Sequence, residues 1–396
     1  MYTVGQSLAV RPRGREVVRG AEARAGNSRC REVAALIVRD RTPATPARPV
    51  RTVLIGFGHG GRVFHAPLLH HDPRFDLASV VTGSLERQDA ARAAYPDAVV
   101  VPGLDEALQA VPDVELAVIA TPNATHADLA SAALSRGLHV VDKPLVVRSG
   151  EGERRMREAR AAQRLLVPFH NRRWDGDFLA VRSMIGSGQL GRVRVFESAM
   201  DSWKPTITKQ WKREAGPGDG GGVLYDLGPH LIDQALALFG PATAVFAELR
   251  RDRRGAVADD NVFLVLQHAA GVTSHLHAGT LVPQARPRFR VTGDAAGLTI
   301  DGTDPQEALL AAGVAPSEIP ATANSRSERE GPRGLLGRDG DTEPILIGPG
   351  AYTSFYAGLA SAIDSTGPVP VPAEDALAAV RIIEQVHASF PVLPPT

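Results

Sequence analysis

Gly56-Phe57-Gly58-His59-Gly60-Gly61 is the stretch on which the fold turns. It follows the short apolar run Val53-Leu54-Ile55 and precedes a segment of helical composition reaching about His70. It is therefore a Gly-x-Gly-x-x-Gly turn in strand-to-helix context, where the pattern acquires physical meaning. Gly56 serves the tight turn, Gly58 lets the main chain approach a pyrophosphate, and Gly61 lets the helix pack on the strand. The helix N-terminus adds N–H groups and the positive end of a dipole. The competing reading is a Gly-rich turn in an unrelated sheet.

Outward from this turn the pattern repeats. Leu77 to Val81, Ala98 to Val101, Leu116 to Ala120, His139 to Val141 and Leu165 to Val167 are further apolar runs. Ala-, Glu- and Arg-rich stretches such as Leu85 to Ala94 and Ala124 to Arg136 separate them, and Gly137 is placed as a helix stop. Six strands with helical crossovers predict a doubly wound parallel sheet, a dinucleotide-binding domain over 50–172.

Beyond Trp174 the rhythm changes. The sequence predicts a helix Asp177 to Ile185, a strand Val193 to Ala199, a Gly-rich loop and one helix from about Tyr225 to Phe239. Five strands then follow without long helices, near Thr243 to Leu249, Asn261 to Gln267, Val272 to Ala278, Arg288 to Thr292 and Leu298 to Asp301. Strand after strand predicts an open, mostly antiparallel sheet, with one face on its helices and the other available to an oligomer partner. Residues 313–343, rich in Ser, Gly, Pro and charge, read as a long mobile loop. Helices Ser354 to Ile363 and Glu374 to Ala388 close a substrate and oligomerisation domain over 173–396, and they are candidates to pack back on the first domain.

Composition narrows the partners. Lys+Arg and Asp+Glu are both 44, so no overall basic field points to nucleic acid or an anionic membrane. No apolar run approaches the roughly 20 residues of a membrane span. The single cysteine, Cys30, excludes an internal disulfide framework and any Cys-based zinc site, and it fits a reducing compartment, the cytoplasm. Residues 1–49 hold ten arginines against four acids and end in a Pro-rich run, which reads as a disordered leader or an over-extended start of translation. A basic interaction arm and a transit peptide remain alternatives.

Four places carry candidate chemistry. The second strand ends Val81-Thr82-Gly83-Ser84 without a carboxylate, while Ser84 and Arg87 are placed to receive a ribose 2′-phosphate, favouring NADP over NAD. Glu86, if it faces the site, argues the other way. Thr121-Pro122-Asn123 and Asp142-Lys143-Pro144 sit at carboxyl ends of strands, where open α/β sheets bind ligands. Lys143 there can hydrogen-bond a substrate hydroxyl and stabilise an alkoxide. In Tyr225-Asp226-Leu227-Gly228-Pro229-His230, a helix already begun puts Asp226 and His230 on one face, so that the carboxylate orients an imidazole able to accept a proton. An N-capping aspartate beside a packed histidine, or a metal site of Asp226, His230 and Asp233, are the alternatives. His275-x-His277 reads as sheet decoration.

Taken together, Gly56 to Pro67, Thr121 to His126, Asp142-Lys143-Pro144, His170 to Asp175 and Asp226 to Asp233 resemble the Gfo/Idh/MocA oxidoreductase family over nearly everything from Val50 onward. Within that family the likeness is greatest to the NADP-dependent scyllo-inositol dehydrogenases. The resemblance implies a Rossmann domain followed by an α/β domain whose open sheet often mediates dimers or tetramers. It implies Lys143, Asp226 and His230 as catalytic residues. Gly56, Phe57, Gly58, Gly60, Gly61, Ser84, Arg87, Thr121, Pro122, Asn123, His126, Lys143 and Arg172 would meet the cofactor, and Asn171, Arg173, Trp174 and Tyr225 would join the catalytic residues around the substrate. Asp142 stands where many relatives carry Glu. The expected activity is NADP(H)-dependent interconversion of a secondary alcohol and a ketone on a cyclic polyol or sugar, without a metal. A non-catalytic nucleotide sensor of the same fold, or a reductase of a tetrapyrrole or imine, are the alternatives.

Overall fold

The structure is a computed structural model that describes residues 48–143, 145–207, 214–319 and 333–394. The Arg/Pro-rich leader therefore falls outside the described residues, except for its last two positions, as does Pro144 of the Asp-Lys-Pro motif. Strands β1 (Val50–Ile55), β2 (Phe75–Val81), β3 (Val99–Val101), β4 (Leu116–Ile119), β5 (His139–Asp142) and β6 (Leu166–Pro168) form one parallel sheet in the order 3-2-1-4-5-6. That order reverses between β1 and β4, so their carboxyl ends open the crevice in which doubly wound sheets bind ligands. Nearly every residue of β1, β2 and β4 is buried because both faces are covered. The crossovers include α1 (Ala66–His71), which continues a wider opening turn over Gly61–His65, α2 (Leu85–Ala94), α3 (Leu104–Ala110), α4 (His126–Ser135) and α5 (Ser149–Ala162).

The second sheet has nine strands in the order β14-β13-β12-β11-β7-β10-β9-β8-β15. These are β7 (Val193–Asp201), β8 (Ala242–Arg250), β9 (Asn261–His268), β10 (Thr273–Gly279), β11 (Phe289–Gly293), β12 (Gly297–Ile300), β13 (Gly334–Arg338), β14 (Asp341–Ile345) and β15 (Val392–Leu393). Only the β7–β10 and β8–β15 pairs are parallel. Helices α6 (Gly176–Gly186), α7 (Val223–Asp226) and α8 (Gly228–Phe239) lie in the same part of the chain. In β9, Val262, Leu264 and Leu266 are buried in the core with α8, while Phe263 and Val265 alternate outward. His275 and His277 share that outward face, and His277 stacks on Phe263 at 4.6 Å. They decorate the sheet away from the buried core.

Two expectations need correction. Residues 313–343 are not one long loop, because Gly334–Arg338 and Asp341–Ile345 pair as an antiparallel hairpin at the sheet edge. The Gly-rich, charged composition hid it: β14 is an edge strand with its first four residues exposed, so it lacks the apolar alternation that marks a strand. The single helix Tyr225 to Phe239 is two, broken at Leu227. Gly228 and Pro229 open the second helix, where proline, lacking an N–H, fits the first turn but not an interior.

The chain then returns to the first sheet. Tyr352, Phe355, Tyr356 and Leu359 of α10 (Tyr352–Ile363) are buried with β1, β2 and the opening helix. Ala373, Ala376 and Val380 of α11 (Ala373–Ser389) are buried on the opposite side with β4 and β5. A short helix α9 (Gln306–Ala311), which follows β12, packs against the opening turn Gly61–His65.

Candidate active site

Three glycines of the turn behave differently. Gly56 has φ +105°, and a β-carbon there would come 2.5 Å from the Ala120 carbonyl oxygen, so no other residue fits. A β-carbon on Gly61 would collide with the Gly56 carbonyl. At Gly58 the space is open, with only the Arg87 guanidinium nitrogen 4.0 Å away. The open cradle over Gly58 with a guanidinium at its rim suits a dinucleotide phosphate. A β-carbon on Gly60 would sit 3.9 Å from the Ala120 methyl, and the Phe57 ring is buried edge-on to Tyr95, so only its main chain is left to face a cofactor.

Ser84 caps α2 by accepting from the Arg87 N–H at 3.4 Å. Its hydroxyl thereby holds the turn that presents Arg87, and both Glu86 and Arg87 are exposed. At the end of β4, the Thr121 and Thr125 hydroxyls are 2.7 Å apart and Thr125 bonds back to the Pro122 carbonyl. A β-carbon on Gly220, which has φ +72°, would lie 3.6 Å from Asn123 Nδ2, so the Gly-rich loop of the second half runs beside the Thr-Pro-Asn turn.

His126, expected at the cofactor, is buried, with Nδ1 on the Asp142 carboxyl and Nε2 2.7 Å from the Thr121 carbonyl, so both ring nitrogens are already engaged within the protein. Lys143 follows Asp142 at the mouth of β5 and is partly exposed.

His230 lies in the first turn of α8, 6% exposed, with Nδ1 buried and unbonded. Burial, then the charges of Lys143 and Arg172, lower its basicity well below the ordinary value of 6.5. Asp226 ends α7, His230 lies in the first turn of α8, and the imidazole Nδ1 has no hydrogen-bond partner. The neighbouring ring is His170, centred 6.1 Å away.

Arg172 and Arg173 are not free for ligands in the way the sequence suggests. Arg173 forks onto Asp233 at 2.8 and 2.6 Å and also binds Asp375 of α11 at 2.8 Å. Burial alone would raise the Asp233 carboxyl, but His170 and Arg173 hold it down at about 2. This pairing removes Asp233 from any metal site with Asp226 and His230. Arg172 binds Asp175 at 3.4 Å and Glu307 of α9 at 2.9 Å, while its carbonyl accepts from Gln234. Trp174 packs edge-on against Phe355 at 5.5 Å in the apolar cluster under α10. Asn171 is buried in the same short helical turn, and Tyr225 stacks on His387 at 5.4 Å.

Several supporting residues carry no motif. Asp259 accepts from the Leu224 N–H at 2.7 Å, and a β-carbon on Gly222 would collide with its carboxyl, so a glycine at φ +97° is what admits this cap. Arg288, fully buried, joins Ser198 to Gln234 beneath α8. Asp175, Asp177 and Asp304 lie buried together, with the Tyr352 hydroxyl donating to Asp175 at 2.7 Å. Buried carboxylates and guanidinium groups that meet across distant segments leave no spacing signal, and only the unusual density of acids at 175–177 hinted at them.

Residues 50–170 match the family described as oxidoreductases with an NAD-binding Rossmann fold, and 178–299 match the GFO/IDH/MocA C-terminal domain. The chain is 36% identical to the uncharacterized oxidoreductase YdgJ of Escherichia coli (strain K12), over 85% of this chain and 94% of that one. It is 32% identical to scyllo-inositol 2-dehydrogenase (NADP(+)) IolW of Bacillus subtilis (strain 168), over 86% and 93%. Among solved structures, the oxidoreductase yvaA of Bacillus subtilis superposes with a TM-score of 0.78 at 32% identity, covering 86% of this chain and 96% of that one.

Proposed function

The chain belongs to the Gfo/Idh/MocA oxidoreductase family, and we propose that it is an NADP(H)-dependent dehydrogenase of a secondary hydroxyl on a cyclic polyol or sugar of the inositol kind. The observation that carries this reading is His230, kept neutral first by burial and then by the charges of Lys143 and Arg172 beside the mouth of the parallel sheet. A bound nicotinamide supplies the hydride acceptor, or the donor in the reverse direction. The protein does the rest. Neutral His230 accepts the hydroxyl proton at a ring nitrogen, and Lys143 stabilises the oxygen as negative charge develops on it. Asp226, Asn171 and Tyr225 line the substrate. The main chain at Gly58 takes the pyrophosphate, and Ser84 and Arg87 hold a 2′-phosphate.

Arg172 and Arg173 act one step back, since each is committed to carboxylates. The comparison with the NADP-dependent relative supports the cofactor preference. The exposed sheet face carrying Phe246 and Leu335 supports a homodimer or homotetramer. Among the described residues no helix is long and apolar enough to cross a membrane. The test is an absorbance screen of inositols, aldoses and ketoses with NAD and NADP side by side. Turnover of a cyclic polyol with NADP is the expected result; activity confined to ketone-free imines or tetrapyrroles, or none with any oxidisable substrate, overturns the reading.

A further inference from the structure

His126 and Asp142 lie between the two loops on which the reaction depends. The imidazole of His126, 1% exposed, has the Thr121 carbonyl 2.7 Å from Nε2 and the Asp142 carboxyl on Nδ1. A carbonyl oxygen can only accept, so Nε2 carries a proton. A second proton is shared between Nδ1 and the carboxyl. The two side chains thus hold two protons and no net charge, whichever of them keeps the shared one. A bare carboxylate here would be a buried charge one residue from Lys143, and its second oxygen, Oδ2, is buried without a hydrogen-bond partner. Burial accordingly pushes the Asp142 carboxyl up, and His126 and the Lys143 main-chain N–H pull it back.

We propose that His126 and Asp142 form a charge-neutral, proton-sharing positioning pair that ties the Thr121–Asn123 turn to the end of β5 and keeps Asp142 from becoming the counter-ion of Lys143. Without His126, the lysine ammonium is the nearest cation along the chain to a buried carboxylate, and it would turn from the reacting oxygen toward Asp142. The other titratable groups around the pair do not substitute for the histidine. His65, on the opening helical turn, is held neutral, pushed down to about 3 by burial and then by His126. Arg155 and Glu158 on α5 pair with each other, with Glu158 also accepting from Ser131 of α4.

The kinetic arm of the test rests on the oxidoreductase reading; the spectroscopic arm does not. In the full chain labelled with ¹⁵N-histidine, the His126 Nε2 signal, assigned by its loss in His126→Gln, is expected to stay protonated with no titration step from pH 5.5 to 9. A His126 midpoint near the ordinary 6.5, or an Nε2 without its proton, overturns the pair. On the polyol that turns over best, His126→Ala should lower kcat about tenfold or more and move the alkaline limb of the kcat profile to higher pH, because the orphaned carboxylate favours charged Lys143. Adding Asp142→Asn removes that carboxylate, so the double variant should recover at least threefold in kcat and return the limb. A plain structural defect would be worsened by the second change, and an unmoved limb without recovery sinks the proposal. NADPH titration reports whether each variant still binds; where His126→Ala does not, His126→Gln takes its place with the same recovery required. If no polyol is turned over, the activity reading fails while the histidine signals still decide the pair.

Discussion

The glycine turn and the first turn of α8 are built on opposite principles. Around Gly58 the wall is main chain, the space is open and the cation, Arg87, is exposed. Around His230 the charges are buried and matched by partners from distant segments: Arg173 meets Asp233 and Asp375, 60 and 202 residues away, and Arg172 meets Glu307 across 135. A phosphate carries its own charge into water-accessible space and needs only N–H groups and a guanidinium at the rim. A buried imidazole is kept neutral first by burial and then by nearby cations, and Arg172 and Arg173, the cations beside it, are each paired with carboxylates. The two halves should therefore respond to substitution in different currencies, binding on one side and rate or stability on the other.

The largest effect expected is on rate. His230→Ala should lower kcat by about 10² to 10⁴ while the NADPH dissociation constant stays within about threefold. Lys143→Ala should lose a comparable factor, and the double variant far less than the product, because the two act on one oxygen. Wild-type turnover by His230→Ala would dissolve the distinction between the halves. Next comes stability. Asp233→Asn leaves Arg173 and Asp375 without the carboxylate that Arg173 forks onto, and breaking a buried pair costs roughly 3 to 5 kcal/mol, read as a lower urea midpoint at unchanged m-value. If Asp233→Asn were as stable as wild type but slower, Asp233 would belong to the chemistry instead.

On the other side, Arg87→Ala should leave the urea midpoint alone and weaken NADPH about tenfold or more with NADH little changed. That follows from losing roughly 1.5 to 3 kcal/mol of charge-assisted bonding. An unchanged NADPH-to-NADH ratio would move the 2′-phosphate elsewhere and leave Arg87 as a solvated helix residue. This half was legible from sequence because its chemistry is local: strand, glycine spacing and the absent carboxylate after Val81 lie within 35 residues of one another. Lys143 and His230 could be singled out in the same way, each beside a strand end or helix start. The partners of Arg173 and His126 were not legible, for one reason. A motif marks where a side chain stands but not what reaches it, and Asp375 and the Thr121 carbonyl arrive through the tertiary fold.

The smallest effect, and the one that probes the buried side most finely, is the pH dependence of stability. Asp175 is buried beside Asp177 and Asp304, and burial, only partly offset by Arg172, raises its carboxyl from 3.8 to about 7. For an acid with a raised native value, the folded chain keeps a proton that the unfolded chain releases. Stability therefore falls as pH rises between about 4 and 7. Asp233, held at about 2, works the other way: its contribution is complete above the unfolded value near 4 and is lost as pH falls toward 2. One proton limits the slope to about 1.4 kcal/mol per pH unit, and sharing it with Asp177, whose carboxyl burial also raises, makes the step shallower. Urea melts of wild type and Asp175→Asn at pH 4.5, 6 and 7.5 should show the variant losing less stability across the series. Tyr352→Phe, which removes the hydroxyl that donates to the charged form, should steepen the fall. Parallel curves for all three would place the shared proton outside this cluster and leave the matched ion pairs around Arg172 and Arg173 as the sole electrostatic support of the buried half.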